Sequence, residues 1–135
     1  IGVADIKREG SDVTIVSFGK IIKEAYKAAD KLKEENISCE IIDLRTVRPL
    51  DIDSVIKSVK KTNRLVILEE AWPFGNVSTE ITFQVQSKAF DYLDAPIQKI
   101  NTADTPAPYS PVLLAEWLPN SDDVVKAVKK VLYKK

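Results

Sequence analysis

Histidine is absent from this 135-residue sequence, and glycine is scarce. Without histidine, the chain lacks the commonest general base, the usual catalytic triads and the commonest metal ligand. The glycines are too few and too scattered to form a phosphate-binding loop or a dinucleotide fingerprint; they are Gly2, Gly10, Gly19 and Gly75. The sequence therefore argues against a self-contained hydrolase or nucleotide-binding enzyme.

Methionine is also absent, and there is one cysteine, Cys39. A single thiol cannot form a disulfide within the chain, and its place in an apolar run predicts a buried thiol in a reducing compartment. The start at Ile1 and the absence of methionine predict a piece of a longer polypeptide. No signal peptide is visible in the sequence.

The sequence has no excess of either charge and no long apolar run. Its 20 basic and 20 acidic residues cancel, and no basic cluster is interleaved with aromatic residues, so we expect no nucleic-acid partner. No stretch approaches the roughly 20 apolar residues that span a bilayer, so we expect no membrane partner. The length and the 44% hydrophobic content predict a single domain over residues 1–135.

The stretch 41–75 organises the rest of the chain. Two apolar runs rich in β-branched residues, 39–44 and 65–68, are separated by a segment with helical periodicity. Asp51 or Asp53 is expected to cap that helix. The apolar positions of the helix fall three and four residues apart, at Ile52, Val55, Ile56 and Val59. This pattern predicts a β-α-β unit with parallel strands.

The remaining segments extend this unit into a layered α/β fold. The runs 3–8 and 13–18 predict strands joined by a tight hairpin at 9–12, which would place the first strand antiparallel near the sheet edge. We predict helices over 20–36, 76–92 (capped by Asn76 or Ser78), 113–118 and from Ser121 onward, a strand over 97–100, and an irregular proline-rich segment over 101–111. The order of elements predicts an α/β/α sandwich.

Candidate functional residues follow two of the predicted strands. The carboxyl ends of parallel strands share one sheet edge, so we expect Asp43, Arg45, Glu69, Glu70 and Trp72 to lie there. Adjacent carboxylates can separate their pKa values and act as acid and base, but neighbours along a strand point to opposite faces. We therefore favour partner contact or a salt bridge for Glu69 and Glu70. For Trp72 and Trp117, interface contact and core packing both remain open.

Four segments closely resemble one known family of domains. They read DLRTVRPLD (43–51), VKKTNRLVILEEAWPFG (59–75), AFDYLDAPI (89–97) and ADTPAPYSP (103–111). They resemble the carboxyl-terminal domain of the β subunit of thiamine-diphosphate-dependent pyruvate dehydrogenase, and similar domains close transketolases and branched-chain 2-oxoacid dehydrogenases. The resemblance covers essentially the whole chain. It implies a three-layer α/β/α sandwich with a five-stranded mixed sheet whose first strand is antiparallel.

The resemblance also implies a role within a larger enzyme. In that family, thiamine diphosphate, magnesium and the catalytic histidines belong to the α subunit and to the amino-terminal half of the β subunit, so this chain alone is expected to bind no cofactor and to be inactive. The parent oxidoreductase would decarboxylate pyruvate and transfer the acetyl group to a lipoyl arm. Expected partners are the α subunit and a second β subunit in an α2β2 assembly, and the peripheral subunit-binding domain of the dihydrolipoyl acyltransferase.

The resemblance assigns docking to an aspartate of the LDAP motif, here Asp94, and to the carboxyl terminus, here Lys135. Trp72 and Glu70 complete the predicted partner-binding set. The sequence departs from many relatives at Ala71 and Thr102, where they have glycine, and in its basic end, Tyr133-Lys134-Lys135.

Two alternatives stay open at this point. The chain could be the same domain of a branched-chain 2-oxoacid or acetoin dehydrogenase. It could also be a stand-alone flavodoxin-like ligand-binding domain, although the short loop at Phe18-Gly19-Lys20 argues against that. The lysine-rich and isoleucine-rich composition predicts a bacterial cytoplasmic protein, with the mitochondrial matrix as the alternative.

Overall fold

A computed structural model of the chain describes residues Ile1–Lys135. It has five strands, five α-helices and a 3-10 turn at Phe90–Tyr92. The strands are β1 (Asp5–Arg8), β2 (Val13–Ser17), β3 (Cys39–Asp43), β4 (Leu65–Leu68) and β5 (Gln98–Ile100). The helices are α1 (Ile22–Glu34), α2 (Ile52–Thr62), α3 (Val77–Ala89), α4 (Pro111–Trp117) and α5 (Ser121–Val131).

The strands form one mixed sheet in the order β1-β3-β2-β4-β5. Strands β2 to β5 run parallel to one another, and β1 lies antiparallel to β3 at the edge. Helices α1 and α5 pack on one face and helices α2 and α3 on the other. This arrangement confirms the predicted three-layer sandwich with a five-stranded mixed sheet and an antiparallel first strand.

The predicted hairpin between the first two strands is wrong. Strand β1 pairs with β3, and β2 lies on the other side of β3. The connecting segment 9–12 therefore crosses the amino end of β3. Gly10 allows this crossing, because a Cβ atom there would lie 2.2 Å from the backbone carbon of Cys39 and the backbone nitrogen of Glu40. The glycine serves a close approach of two backbone segments and not a tight turn.

Two apolar clusters fill the spaces between the layers. Every residue of β2 is buried, as expected for a central parallel strand covered on both faces. Its Ile15 belongs to the cluster beneath α1 and α5, whereas its Val16 belongs to the cluster beneath α2 and α3. Cys39 lies in the first cluster, and burial raises the pKa of its thiol to about 12. The prediction of a buried thiol is confirmed.

Helix ends are held by carboxylate and amide side chains. Asp51, and not Asp53, caps α2: its Oδ1 accepts a hydrogen bond from the Ser54 N–H at 3.1 Å. The last helix begins with a reciprocal capping box between Asn120 and Asp123, and Asn120 lies one residue before the predicted start at Ser121. Both ends show the expected preference of helix N-termini for oxygen acceptors.

A polar network lies beneath α2, inside the otherwise apolar second layer. Glu40 on β3 accepts hydrogen bonds from the Ser58 hydroxyl at 2.6 Å, from the Gly10 N–H at 3.2 Å and from the Lys61 ammonium. Burial alone would raise the pKa of Glu40, but the hydrogen bonds from Lys61, Ser58 and Gly10 hold it below its ordinary value. The Ser58 hydroxyl also contacts that of Thr14 on β2 at 2.6 Å. The network therefore ties α2 to two strands.

Candidate partner-binding site

The carboxyl ends of β3 and β4 meet at one edge of the sheet, as predicted. Ser17 at the end of β2 is in register with Asp43 on one side and with Leu68 on the other. The residues that follow β4, from Glu69 to Gly75, therefore begin at this carboxyl edge. Arg45 turns toward the segment before β1, where its Nε and Nη2 atoms donate to the Val3 carbonyl at 3.1 and 2.8 Å.

Glu69 and Glu70 have separate environments. The Glu69 side chain is buried, and its carboxylate accepts hydrogen bonds from the backbone N–H groups of Val77 and Ser78 at 3.0 and 3.2 Å. The Asn101 side chain donates to it as well, at 3.1 Å. Glu70 is exposed. Glu69 thus caps α3 from another element, and the two carboxylates do not form an acid-base pair.

The predicted side-chain cap of α3 by Asn76 or Ser78 is wrong. Asn76 stands at the N-cap position, but its side chain makes no hydrogen bond to the helix. Its amide donates backwards, to the carbonyl of Trp72 and to that of Phe74 at 3.1 Å. The Ser78 hydroxyl is buried without a hydrogen-bond partner. Because Glu69 satisfies the first N–H groups of the helix, Asn76 is free to hold the preceding loop.

The loop Trp72–Gly75 is fixed by side chains from three elements. Besides Asn76, the Asn101 amide donates to the Trp72 carbonyl at 3.4 Å, and the Lys99 ammonium donates to the Pro73 carbonyl at 2.7 Å. The loop nevertheless displays large apolar groups to solvent: Trp72 is 50% exposed and Phe74 is 88% exposed. It is a fixed backbone that carries exposed aromatic rings.

Helix α4 flanks this loop and contains no buried residue. The indole N–H groups of Trp72 and Trp117 both donate to the Thr105 carbonyl, at 2.8 and 2.9 Å, which brings the end of α4 beside the loop. We call the exposed apolar residues of the loop and of the start of α4 the aromatic ridge; they are Trp72, Phe74, Tyr109, Val112 and Leu113. The chain leaves each of these apolar side chains exposed.

Asp94 lies at the opposite, amino edge of the sheet. Its N–H donates to the carbonyl of Asn63, just before β4, at 2.9 Å. Its carboxylate is 58% exposed and lies 3.7 Å from the Arg64 guanidinium, a loose ion pair. The Tyr133 hydroxyl donates to the Asp94 carbonyl at 3.2 Å. The structure therefore places Asp94 beside Tyr133, which lies two residues before the last residue, Lys135.

An open cavity of about 520 Å³ adjoins Asp94. Its apolar lining comes from Phe90 in the 3-10 turn and from the segment before β5, and Tyr133 borders one side. Both aromatic rings of the lining are accessible, with Phe90 at 66% and Tyr133 at 73% exposure. The carboxylate thus stands beside an apolar groove, which we call the amino-edge groove.

The four predicted partner-binding residues divide into two separate sites. Asp94 lies at the amino edge beside Tyr133, two residues before Lys135 in sequence, whereas Glu70 and Trp72 follow β4 at the carboxyl edge. The four residues of β4 separate these edges by about 13 Å at the usual rise of a strand. Sequence reasoning missed Phe74 and Tyr109 at one edge and Phe90 and Tyr133 at the other. The signal for the ridge was available, because residues 71–79 and 105–115 carry no charge.

The residues present do not fit a magnesium and diphosphate site. No three histidine, cysteine, aspartate or glutamate side chains come together as metal ligands. The buried Glu69 carboxylate is already occupied by three donors of the protein itself. No cofactor chemistry is therefore assigned to these residues.

None of the helices combines the length and the apolarity needed to cross a membrane.

Together, these features define a three-layer α/β domain with exposed apolar surfaces at both ends of its sheet. The chain belongs to the family of transketolase C-terminal domains, whose model matches residues 2–124. The predicted resemblance to the carboxyl-terminal domain of pyruvate dehydrogenase β subunits is confirmed, because such subunits match almost the whole chain.

The chain is 54% identical to the pyruvate dehydrogenase E1 component subunit beta of Rickettsia felis, over 98% of this chain and 40% of that protein. It is 49% identical to the mitochondrial subunit beta-1 of Arabidopsis thaliana, over 99% of this chain and 37% of that protein. It is 46% identical to the subunit beta of the acetoin:2,6-dichlorophenolindophenol oxidoreductase of Bacillus subtilis, over 98% and 39%. The chain thus spans about two fifths of the length of these curated relatives.

A solved structure shares the fold closely. It is described as a split-gene transketolase in an inactive β4 tetramer, and it matches with a TM-score of 0.87 and 28% identity. The match covers 99% of this chain and 43% of the other. The fold derived from the sequence is therefore that of the carboxyl-terminal part of a transketolase.

Proposed function

We propose that this chain is the subunit-association and acyltransferase-docking domain of a pyruvate dehydrogenase β subunit. The observation that carries the proposal is the position of Asp94 beside Tyr133 and an apolar groove, in a chain 54% identical to such a subunit. The 135 residues form one domain of this longer subunit. The β-subunit relatives, which are longer than this chain, support that reading.

Docking takes place at the amino-edge groove. Asp94 presents a carboxylate whose nearest cation, on Arg64, stands 3.7 Å away, so an incoming basic side chain can replace or join it. Phe90 and Tyr133 present exposed rings next to the charge, the combination of aromatic contact and charge that dominates many interfaces. The partner is the peripheral subunit-binding domain of the dihydrolipoyl acyltransferase. Lys135 is two residues from Tyr133 in sequence, close enough to border the groove.

Subunit association takes place at the carboxyl edge. Trp72 and the apolar residues around it are exposed in this chain and need a protein surface to cover them. Glu70, also exposed, supplies charge next to this apolar area. The partners are the α subunit and a second β subunit of an α2β2 assembly, and the tetramer named for the split transketolase supports a multi-subunit arrangement.

The parent reaction is the oxidative decarboxylation of pyruvate with transfer of the acetyl group to a lipoyl arm. Thiamine diphosphate with magnesium supplies the carbanion chemistry of that reaction when bound elsewhere in the enzyme. The residues of this chain hold subunits and the acyltransferase core in place, and the chain alone is inactive. We propose a bacterial cytoplasmic location, and the mitochondrial matrix is the alternative because one relative is mitochondrial.

An acetoin dehydrogenase is the second candidate for the parent enzyme, because its β subunit is 46% identical to this chain. A branched-chain 2-oxoacid dehydrogenase is the third, on the resemblance of the motifs alone. No observation favours the flavodoxin-like alternative. Assays of the full-length enzyme with pyruvate, acetoin and branched-chain 2-oxoacids distinguish the three parents.

Calorimetric titration of this chain with the subunit-binding domain of the acyltransferase tests the docking role. We expect saturable binding that Asp94→Asn weakens by roughly tenfold or more, as at interfacial charges that contact a partner. Glu70→Gln is the matched control, since it neutralises an exposed carboxylate at the other edge. Absence of binding by the folded wild-type chain, or equal loss in the two variants, would contradict the assignment of docking to Asp94.

A further inference from the structure

The guanidinium of Arg64, just before β4, joins the ends of three elements at the amino edge of the sheet. Its Nε atom donates to the carbonyl of Val131, the last residue of α5, at 3.2 Å. Its Nη1 atom donates to the carbonyls of Asp12, just before β2, and of Thr62, at the end of α2, at 3.4 and 3.5 Å. One side chain therefore fixes the end of α5 relative to the sheet and to α2.

The same guanidinium faces Asp94. The distance from Arg64 Nη2 to the Asp94 carboxylate is 3.7 Å, which is longer than a hydrogen bond. The bonds to the three carbonyls, and not the ion pair, therefore set the position of the guanidinium. The Arg64 side chain is 26% exposed and that of Asp94 is 58% exposed, so the carboxylate remains open to a partner while the arginine lies behind it.

The segment after α5 also reaches Asp94. Tyr133 has a φ of +55°, a left-handed conformation that bulky residues rarely adopt. Its N–H donates to the Lys130 carbonyl at 3.2 Å, and its hydroxyl donates to the Asp94 carbonyl at 3.2 Å. Arg64 holds the carbonyl of Val131, two residues before this turn. Arg64 and Tyr133 thus connect the end of α5 to the carboxylate and to the backbone of Asp94.

Two roles of Arg64 in docking predict opposite effects of its removal. A counterion of Asp94 would compete with the incoming basic side chain of the partner, so its removal would strengthen binding. A residue that holds Tyr133 beside Asp94 would weaken binding when removed. The geometry favours the second role, because Arg64 makes its hydrogen bonds to backbone carbonyls and contacts Asp94 only loosely.

We propose that Arg64 is a positioning residue of the docking surface. By fixing the end of α5 it holds Tyr133 against Asp94, so that the partner meets both residues as one surface. This inference rests on the proposed function, because it deepens the account of docking at Asp94. A lysine side chain keeps the positive charge, but it is a single donor group on a flexible stem and does not reproduce the planar fork that bonds three elements.

Calorimetric titration with the acyltransferase subunit-binding domain tests the inference in the wild type, Arg64→Lys and Arg64→Gln. We expect both variants to weaken binding by roughly fivefold or more and by similar factors, as for residues that act on a site without touching the ligand. Arg48→Lys and Arg48→Gln are the matched controls, because Arg48 is an exposed arginine that follows β3 at the carboxyl edge. They should leave the affinity within about twofold of the wild type.

A double-mutant cycle tests whether Arg64 acts through Tyr133. Tyr133→Phe keeps the ring and removes the hydroxyl that reaches Asp94, so Arg64→Lys should cost less affinity in that background than in the wild type. In the free chain, the heteronuclear NOE of the Tyr133 amide should fall in Arg64→Lys, while the amides of the sheet keep wild-type values. Thermal unfolding confirms that each variant is folded at the temperature of the titration.

Unchanged or tighter binding by both Arg64 variants would overturn the inference and would identify Arg64 as a counterion only. Full retention of affinity in Arg64→Lys with loss in Arg64→Gln would overturn it as well, since the charge alone would then suffice. Additive losses in the cycle would exclude action through Tyr133. Absence of binding by the folded wild-type chain would overturn the docking role together with this inference, whereas wild-type binding that the Arg64 variants retain would overturn this inference alone.

Discussion

Trp72 and Trp117 donate their indole N–H groups to the same acceptor, the carbonyl oxygen of Thr105, over 2.8 and 2.9 Å. The shared acceptor joins the loop after β4, the proline-rich segment and the end of α4. It explains how a segment without regular structure, rich in prolines, keeps a fixed path. Trp72 itself is half exposed, so its contact with a partner stays a prediction.

The shared acceptor predicts a measurable effect of removing one donor. Trp117→Phe keeps an aromatic ring but loses the N–H, and we expect a loss of about 1 kcal/mol in the free energy of unfolding. Trp72→Phe should cost a similar amount. Urea denaturation of the single and double variants measures both losses and their coupling. Free energies unchanged in both single variants would show that the hydrogen bonds to Thr105 do not hold this segment.

The buried carboxylate of Glu69 predicts a larger loss on neutralisation. A glutamine there keeps the size but turns one acceptor oxygen into a donor facing N–H groups, so Glu69→Gln should cost about 2–3 kcal/mol. Glu70→Gln, the same change at the exposed neighbour, should stay within about 0.5 kcal/mol. Urea denaturation provides the comparison. Equal effects of the two substitutions would rule out the capping role of Glu69.

The ion pair between Glu40 and Lys61 predicts that removing the cation alone lowers the free energy of unfolding more than removing both charges. Lys61→Met leaves the Glu40 carboxylate, itself 1% exposed, without its cation. We expect a loss of about 2 kcal/mol at neutral pH, less than for a fully buried pair because Lys61 is 45% exposed. Adding Glu40→Gln should restore part of the loss, since the unpaired charge is then gone.

Lys57→Met is the control for this pair. Lys57 is an exposed lysine of the same helix, and its substitution should change the free energy of unfolding by no more than about 0.5 kcal/mol. A double variant less stable than Lys61→Met alone would contradict the view that the unpaired carboxylate causes the loss.

The hydrogen bonds of the Asp51 carboxylate predict part of the loss of stability at acidic pH. The Ala4 N–H, at 2.8 Å, and the Ser54 side chain and N–H lower the pKa of Asp51 below its ordinary value. Its contribution is therefore present above the unfolded-state pKa of about 3.9 and is lost as the pH falls through the lower folded-state value. Asp51→Asn should reduce the dependence of stability on pH below about pH 4. Chemical denaturation at several acidic pH values measures this slope; identical slopes in variant and wild type would exclude Asp51 as a source.

The fold was largely predictable from the sequence, and the two surfaces were only partly so. Periodicity and capping residues predicted the parallel strands and the helix that Asp51 starts, because both depend on neighbours in sequence. The hairpin prediction failed because Gly10 is required by contact with Cys39 and Glu40, residues distant in sequence. The cap of α3 by Glu69 was missed for the same reason.

The grouping of site residues also required the structure. Nothing local indicates that Tyr133 reaches the Asp94 carbonyl, since the two residues belong to different elements. Strands β4 and β5 are parallel. Asp94 precedes β5 and therefore lies at the amino edge, whereas Trp72 follows β4 and lies at the carboxyl edge. Sequence motifs named residues of two different surfaces as one set.

We propose that docking uses the amino edge of the sheet and leaves the carboxyl edge free. NMR chemical-shift mapping of the chain, titrated with the acyltransferase subunit-binding domain, tests it most directly. We predict shifts at the amides of Asn63, Asp94 and Tyr133, with the two indole N–H signals of Trp72 and Trp117 unchanged. Shifts of the indole signals without changes at Asp94 and Tyr133, or no shifts at saturating partner, would contradict the account.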